Sequence, residues 1–310
     1  MQYATRADNV YMIDTKMFGF DNYSSSYIVQ GKETAMVDTG LPNQLEAVRA
    51  GLKAHGFSPR DIAYIFVTHE HGDHFGNVAT LLKENPEAKA YIHPAAVECL
   101  TDPGKERDFM KGKLPPHMIA RFGELTVEPV PQSRIRFVKD GDVFDLGNGV
   151  KLRIIFAPGH QPGSIAIFEE KNGGLFISDL VGNYFADADV SMILTPPNSD
   201  LKVSITSLKK VMDMPITKLF LGHFGISDKP QAVMQRAMDG MQQFLAIGAQ
   251  CVAEGKPEEI EPRVTAVKMR EAEKLRAARG QVLYEYTSEE LIPFQSRAFA
   301  QYYLNLAEKS

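Results

Sequence analysis

Four side chains able to ligate a cation fall within six consecutive positions: His69, His71, Asp73 and His74, in the segment Thr68-His69-Glu70-His71-Gly72-Asp73-His74. Imidazole and carboxylate donors suit zinc, iron and manganese. The whole chain carries 8 histidines, and three of them stand here beside an aspartate, which a polar loop would not gather by accident. The segment directly follows Ile62-Ala63-Tyr64-Ile65-Phe66-Val67, a β-branched and aromatic run of the kind that forms a buried strand. Where that strand ends, the chain can turn so that His69 and His71 point one way while Asp73 and His74 face a second centre. Gly72 is expected to permit the turn.

Three further residues with ligand chemistry also end apolar runs. Ala157-Pro158-Gly159-His160 follows Leu152 to Phe156, Ser178-Asp179 follows Leu175-Phe176-Ile177, and Gly222-His223 follows Lys218 to Leu221. Strand ends are where α/β architectures collect their functional groups. One histidine beside a glycine is ordinary; the joint pattern is not.

With these pieces in view the chain resembles the metallo-β-lactamase superfamily, in particular its glyoxalase II-like and thioesterase-like hydrolases. The matching segments, in order, are Val37-Asp38-Thr39-Gly40, Thr68 to His74, Pro158-Gly159-His160, Ser178-Asp179 and Gly222-His223. The resemblance implies a four-layer αββα sandwich and two divalent metal ions, zinc first, with iron or manganese as alternatives. It implies that His69, His71 and His160 hold one ion, that Asp73, His74 and His223 hold the other, and that Asp179 bridges them. Asp38 matches an acid that supports the ligands from behind. The implied reaction is hydrolysis by a hydroxide shared between the ions, with Asp73 and Asp179 as the catalytic carboxylates and Asp73 handling a proton as the intermediate collapses.

The elements that must position these groups are legible as strands and helices. Val10 to Ile13, Tyr27 to Val29 and Ala35 to Val37 read as strands, Leu45 to His55 as a helix closed by Gly56, Asn77 to Glu84 as helix and Ala90 to His93 as strand. Residues 95–134 interleave Met, Phe, Lys and Pro and read either as a helical insertion over a pocket or as a surface excursion. Strand patterns return at Arg134 to Val138, Val143 to Leu146, Lys151 to Phe156, Ile165 to Phe168, Leu175 to Ser178 and Lys218 to Leu221, with a helix at Leu201 to Met212. From Lys229 the pattern is helical: Gln231 to Glu254, Val264 to Arg279 and Ser288 to Leu306. The expected organisation is therefore an α/β catalytic domain over residues 1–228 and a helical C-terminal extension over 229–310.

Composition narrows the partners. The net charge of −5 offers no broad positive field, so nucleic acid is not expected. Two cysteines, Cys99 and Cys251, are too few for a disulfide framework and fit a reducing compartment. No secretory pattern and no membrane-length apolar stretch are seen, so a cytoplasmic protein that does not engage membranes is expected. The apolar tail around Phe294, Phe299, Tyr302, Tyr303 and Leu304 can pack within the chain or across a homodimer.

The favoured substrate is a small-molecule acyl thioester, acyl-CoA ahead of a glutathione thioester. The alternatives are a lactone or other carboxylic ester, a non-hydrolytic diiron centre that binds oxygen or nitric oxide, and a binding protein without catalysis. Three segments bear on the choice. Basic residues at Arg263, Lys268, Arg270, Lys274, Arg276 and Arg279 form either an anion-binding patch or an ion-paired helix face. Gly182-Asn183-Tyr184-Phe185 reads as a loop close behind Asp179, placing Asn183 and Tyr184 as substrate contacts. Met17, Phe18 and Phe20 suit an apolar flank for an acyl group or simple packing.

Overall fold

The structure is a computed structural model that describes residues 4–104 and 127–307. Its first sheet runs in chain order: β1 (Arg6–Ala7), β2 (Val10–Asp14), β3 (Ser25–Gln30), β4 (Thr34–Val37), β5 (Ile62–Phe66), β6 (Lys89–Ile92) and β7 (Ile135–Phe137). The strands from β1 to β4 pair antiparallel, and those from β4 to β7 pair parallel. Parallel neighbours require crossovers, and these are supplied by α1 (Leu45–Ala54), α2 (Gly72–Phe75), α3 (Val78–Glu84) and α4 (Val97–Thr101). Helix α1 ends where expected, with Gly56 just beyond it at φ +81°, a backbone that favours glycine.

The second sheet contains β8 (Val143–Gly147), β9 (Val150–Phe156), β10 (Ile165–Glu169) and β11 (Gly174–Ser178). The chain then makes a separate ribbon of β12 (Asn183–Phe185) and β13 (Val190–Met192), and a helix α5 (Leu201–Met212). It returns as β14 (Lys218–Leu221) and β15 (Gly225–Ser227). The order across the sheet is β15-β14-β11-β10-β9-β8, antiparallel except for the parallel pair β11–β14.

The period of β5 explains why the two sheets stack. Ile65 and Val67 face one way, into a core with Val48 and Leu52 of α1 and Val78, Leu81 and Leu82 of α3. Phe66 faces the other way, meeting Val10, Met12 and Val37 of its own sheet and Leu152, Ile154, Ile167 and Phe176 of the second. A strand apolar on both faces is thus buried between a helical layer and a second sheet, as its unbroken apolar run demands.

The described residues fall into two compact units. The first lies within Met1–Ala157, Gly163–Ser178 and Pro215–Pro230, and it holds both sheets. The second draws on Pro158–Pro162, Asp179–Met214 and Gln231–Ser310. Its C-terminal part contains α6 (Pro230–Ala253), α7 (Ile260–Arg279), α8 (Gln281–Glu285), a π-helical stretch over Tyr286–Leu291 and α9 (Ile292–Ala307). Among the described residues, no helix is long and apolar enough to cross a membrane. Both cysteines are buried, and neither is part of a disulfide.

The sequence reading differs from the structure in a few places. Helix α7 begins at Ile260 because Pro262 sits in its first turn, where no amide hydrogen is needed. The helix expected over Ser288 to Leu306 begins within the π-helical stretch and continues as α9, and helical structure already starts ahead of it at α8, behind Gly280 at φ +89°. Strands β1, β12, β13 and β15 span two or three residues each and carry no periodic pattern to read. Residues 105–126 of the insertion expected over 95–134 lie outside the described residues.

Candidate metal centre

Every predicted ligand stands just beyond the carboxyl end of a strand. Strand β4 leads to Asp38, β5 to Thr68 and His69, β9 to His160, β11 to Asp179 and β14 to His223. Short helix α2 then presents Asp73 and His74 from its first turn.

Two groups of ligand atoms result. Those of Asp73, His74 and His223 lie within 4.8 Å of one another, as do those of His69, His71, His160 and Asp179. In the first group Asp73 Oδ2 is 3.6 Å from His74 Nε2 and 3.4 Å from His223 Nε2. In the second, His69 Nε2 is 3.0 Å from His71 Nδ1, and His160 Nε2 is 3.4 Å from Asp179 Oδ2. All but His71 and Asp73 are buried.

These residues fit divalent metal ions. The donors are imidazole and carboxylate, and they converge by their ligating atoms. The far ring nitrogens are held as metal-binding histidines require: His74 Nδ1 is 2.8 Å from Asp38 Oδ2, and His223 Nδ1 is 3.3 Å from the Tyr23 carbonyl oxygen. Asp38 itself is buried and sits at φ +57°, a conformation costly for a residue with a side chain. Its carboxylate also accepts from the Thr68 amide and hydroxyl at 2.9 and 2.8 Å.

His223 is further secured by the β2–β3 hairpin. The Ser25 amide donates to the Gly222 carbonyl at 2.8 Å. The Tyr27 hydroxyl lies 2.7 Å from the Leu221 carbonyl oxygen and 2.8 Å from that of Gly225. Burial pushes the Tyr27 phenol well above its ordinary pKa, so it remains a donor. The Tyr23 ring stands edge-on to the His223 ring at 5.8 Å.

Gly159 explains the Pro-Gly-His motif. Its φ is +134°, and a Cβ there would fall 2.4 Å from the Ser204 nitrogen, where α5 begins. The loop is tied to that helix by Asp200 N to Gly159 O at 2.7 Å and Ser207 Oγ to Pro158 O at 2.7 Å. A Gly159→Ala variant is expected to push the loop off the helix and displace His160. Zinc titration should show affinity for one ion falling about 10-fold or more, and thermal unfolding should show a loss of about 1–3 kcal/mol.

Other expectations fare differently. Gly72 does not take a left-handed turn; it opens α2, and the unusual backbone lies instead at Asp38 and at Ser178, φ +53°. The segment Gly182 to Phe185, read as a loop, is mostly strand: Asn183 is buried and pairs with Met192, and half-buried Tyr184 pairs with Ser191. Burial raises the Tyr184 phenol pKa. Met17 and Phe18 are buried in a 3₁₀ turn.

Five of the six basic residues singled out on α7 are taken up by neighbouring groups. Arg263 pairs with Glu254 and Glu259, Lys274 with Glu271, Arg276 with Glu273 and Arg279 with Asp187, while Lys268 is buried. Acids three and four residues away on the same helix face account for much of this. Sequence reasoning gave no role to Thr68, Ser178 or Tyr23. A hydroxyl residue immediately before His69 and another before Asp179 were the available signal.

The chain is similar to known proteins in sequence and in fold. Over 232 residues the chain is 28% identical to an acyl-coenzyme A thioesterase of Gallus gallus, covering 70% of this chain and 78% of that one. It is 26% identical over 200 residues to a beta-lactamase-like protein 2 homolog of Caenorhabditis elegans. That match covers 64% of this chain and 55% of the nematode protein, so the chain spans little more than half of that relative. In fold alone it is similar to the crystal structure of a metallo-β-lactamase family protein of Thermus thermophilus. There the TM-score is 0.66 at 19% identity, over 96% of this chain and 94% of the other. The family model of the metallo-β-lactamase superfamily matches residues 19–223, the stretch that includes every one of the converging ligands, and the chain belongs to that superfamily.

Proposed function

We propose that this protein is a dinuclear metal-dependent hydrolase that cleaves an acyl thioester, with acyl-CoA as the first substrate class to test. The observation that carries the reading is the convergence of seven imidazole and carboxylate side chains in two groups. His69, His71 and His160 would hold one ion, Asp73, His74 and His223 the other, and Asp179 would reach both. Bound divalent ions supply Lewis acidity and a water acidified enough to act as a nucleophile near neutral pH.

The protein's own groups do the rest. Asp38 and the Tyr23 carbonyl fix the ring orientation of His74 and His223, so their Nε2 atoms face Asp73. Of the two carboxylates in the ligand groups, Asp73 is the more open to solvent, with its side chain 12% exposed against 3% for Asp179. That access suits it to accept the proton released on attack and to return it to the departing thiolate. The avian thioesterase relative supports the substrate class. Because Arg263, Lys274, Arg276 and Arg279 of α7 are engaged by acids of their own unit, the thiol carrier is expected to bind without relying on those four.

Thiol release from a panel of acyl-CoA esters is the test, with elemental analysis of the same sample. The expected result is turnover that disappears on chelation and returns with zinc, iron or manganese. Ring opening of lactones with no thioester cleavage would favour the ester alternative. A coloured iron-loaded protein inert to both would replace hydrolysis with a redox or gas-binding role.

A further inference from the structure

The hydroxyls of Ser178 and Thr68 stand in a line between His69 and Asp38. Ser178 Oγ is 3.0 Å from His69 Nδ1 and 2.8 Å from Thr68 Oγ1, and Thr68 Oγ1 is 2.8 Å from Asp38 Oδ2. All four side chains are buried. An ionised carboxylate can only accept hydrogen bonds, and that fixes the direction of the whole line. Thr68 donates to Asp38, so its lone pair receives the Ser178 proton. The Ser178 lone pair is then left to receive a proton from His69 Nδ1. Thr68 Oγ1 also lies 3.3 Å from His69 Nδ1 and 3.4 Å from His74 Nδ1, in reach of both rings as a weaker acceptor.

We propose that Ser178 is a positioning residue that, through Thr68, extends the hold of Asp38 from one ligand group to the other. Asp38 sets the His74 ring directly, at 2.8 Å, and sets the His69 ring through two hydroxyls. With its hydrogen on Nδ1, His69 presents a bare Nε2 beside His71 Nδ1, where a ligand atom belongs. The backbone of Ser178 agrees with this role. At φ +53° glycine would be the easier residue, so the position keeps a side chain against a conformational cost, and the hydroxyl is what that side chain contributes.

The inference rests on the metal-binding reading above, and the experiment separates the two. Zinc(II) is titrated into the metal-free full chain against a chromophoric chelator, for wild type, Ser178→Gly, Thr68→Val and Asp38→Asn. Ser178→Gly relieves the backbone, so its thermal midpoint should hold or rise. Its affinity for one of two zinc ions should fall about 10- to 100-fold, with the other unchanged. Thr68→Val should weaken the same ion, and the double variant should be no worse than either single one, because both break one line. Asp38→Asn should weaken both ions. In the zinc-loaded wild type, ¹⁵N imidazole spectra should place the His69 proton on Nδ1. Undiminished binding of both ions by Ser178→Gly, with normal binding by wild type, would overturn this inference alone. A wild-type chain that takes up no zinc would overturn it together with the metal reading.

Discussion

Turnover of an acyl-CoA by an Asp179→Asn variant is expected to fall about 10³-fold, the equivalent of about 4 kcal/mol of transition-state stabilisation. Asparagine has the same shape as aspartate, so the buried position is filled and the fold should persist. What is lost is the negative charge that the proposal places against both ions, and an amide does not replace it. Metal content should drop below two equivalents on elemental analysis, and the residual rate should not recover at higher pH. Two retained ions together with a rate within about tenfold of wild type would remove Asp179 from the reaction. His160, whose Nε2 lies 3.4 Å from the same carboxylate, should then be examined as the remaining support of that group.

The largest stability effect is expected at Lys268. This side chain is 2% exposed and donates to the Ile193 carbonyl at 2.7 Å, the Thr195 hydroxyl at 3.1 Å and Gln295 Oε1 at 2.7 Å. It stands 5.3 Å from the centre of the Phe244 ring. One cation therefore joins α7 to α9 and to the stretch after β13. Lys268→Ala leaves buried acceptors unsatisfied and opens a cavity, at a cost of about 3–5 kcal/mol. Lys268→Met restores the volume and should recover part of that loss, measured as chemical unfolding followed by circular dichroism. Burial holds the Lys268 pKa well below the ordinary 10.5. Between that lowered value and 10.5 the unfolded chain binds the extra proton, so wild-type stability should rise relative to Lys268→Met as pH increases through this window. Equal stability of Lys268→Ala and wild type would show that the three contacts contribute nothing.

The long elements were legible because each carried a strong pattern. The β5 run Ile62 to Phe66 has no polar interruption, and the α5 boundaries Leu201 to Met212 coincide with their sequence reading. The converging histidines and aspartates were legible for a different reason: His, Asp and Gly clustered at strand ends leave a chemical trace independent of periodicity. The groups behind them were not. Thr68 and Ser178 are common residue types, and nothing in their spacing, 110 positions apart, announces a 2.8 Å contact. Lys268 was read as one charge on a basic helix face, because burial depends on what packs over α7. Gly72 was misread because the chain after β5 turns by opening α2 directly behind the extended His71, which needs no left-handed residue.

The anchoring of His223 by the β2–β3 hairpin bears on when the proposed ions could be bound during synthesis. The loop with His69 to His74 emerges from the ribosome about 150 residues before His223 does. The Tyr23, Ser25 and Tyr27 contacts that hold the final ligand must wait for Leu221 to Gly225. A nascent chain arrested before that point offers an incomplete cage, from which an ion escapes readily. On the proposed reading, tight metal binding would follow the emergence of His223 and would report closure between the two ends of the first unit.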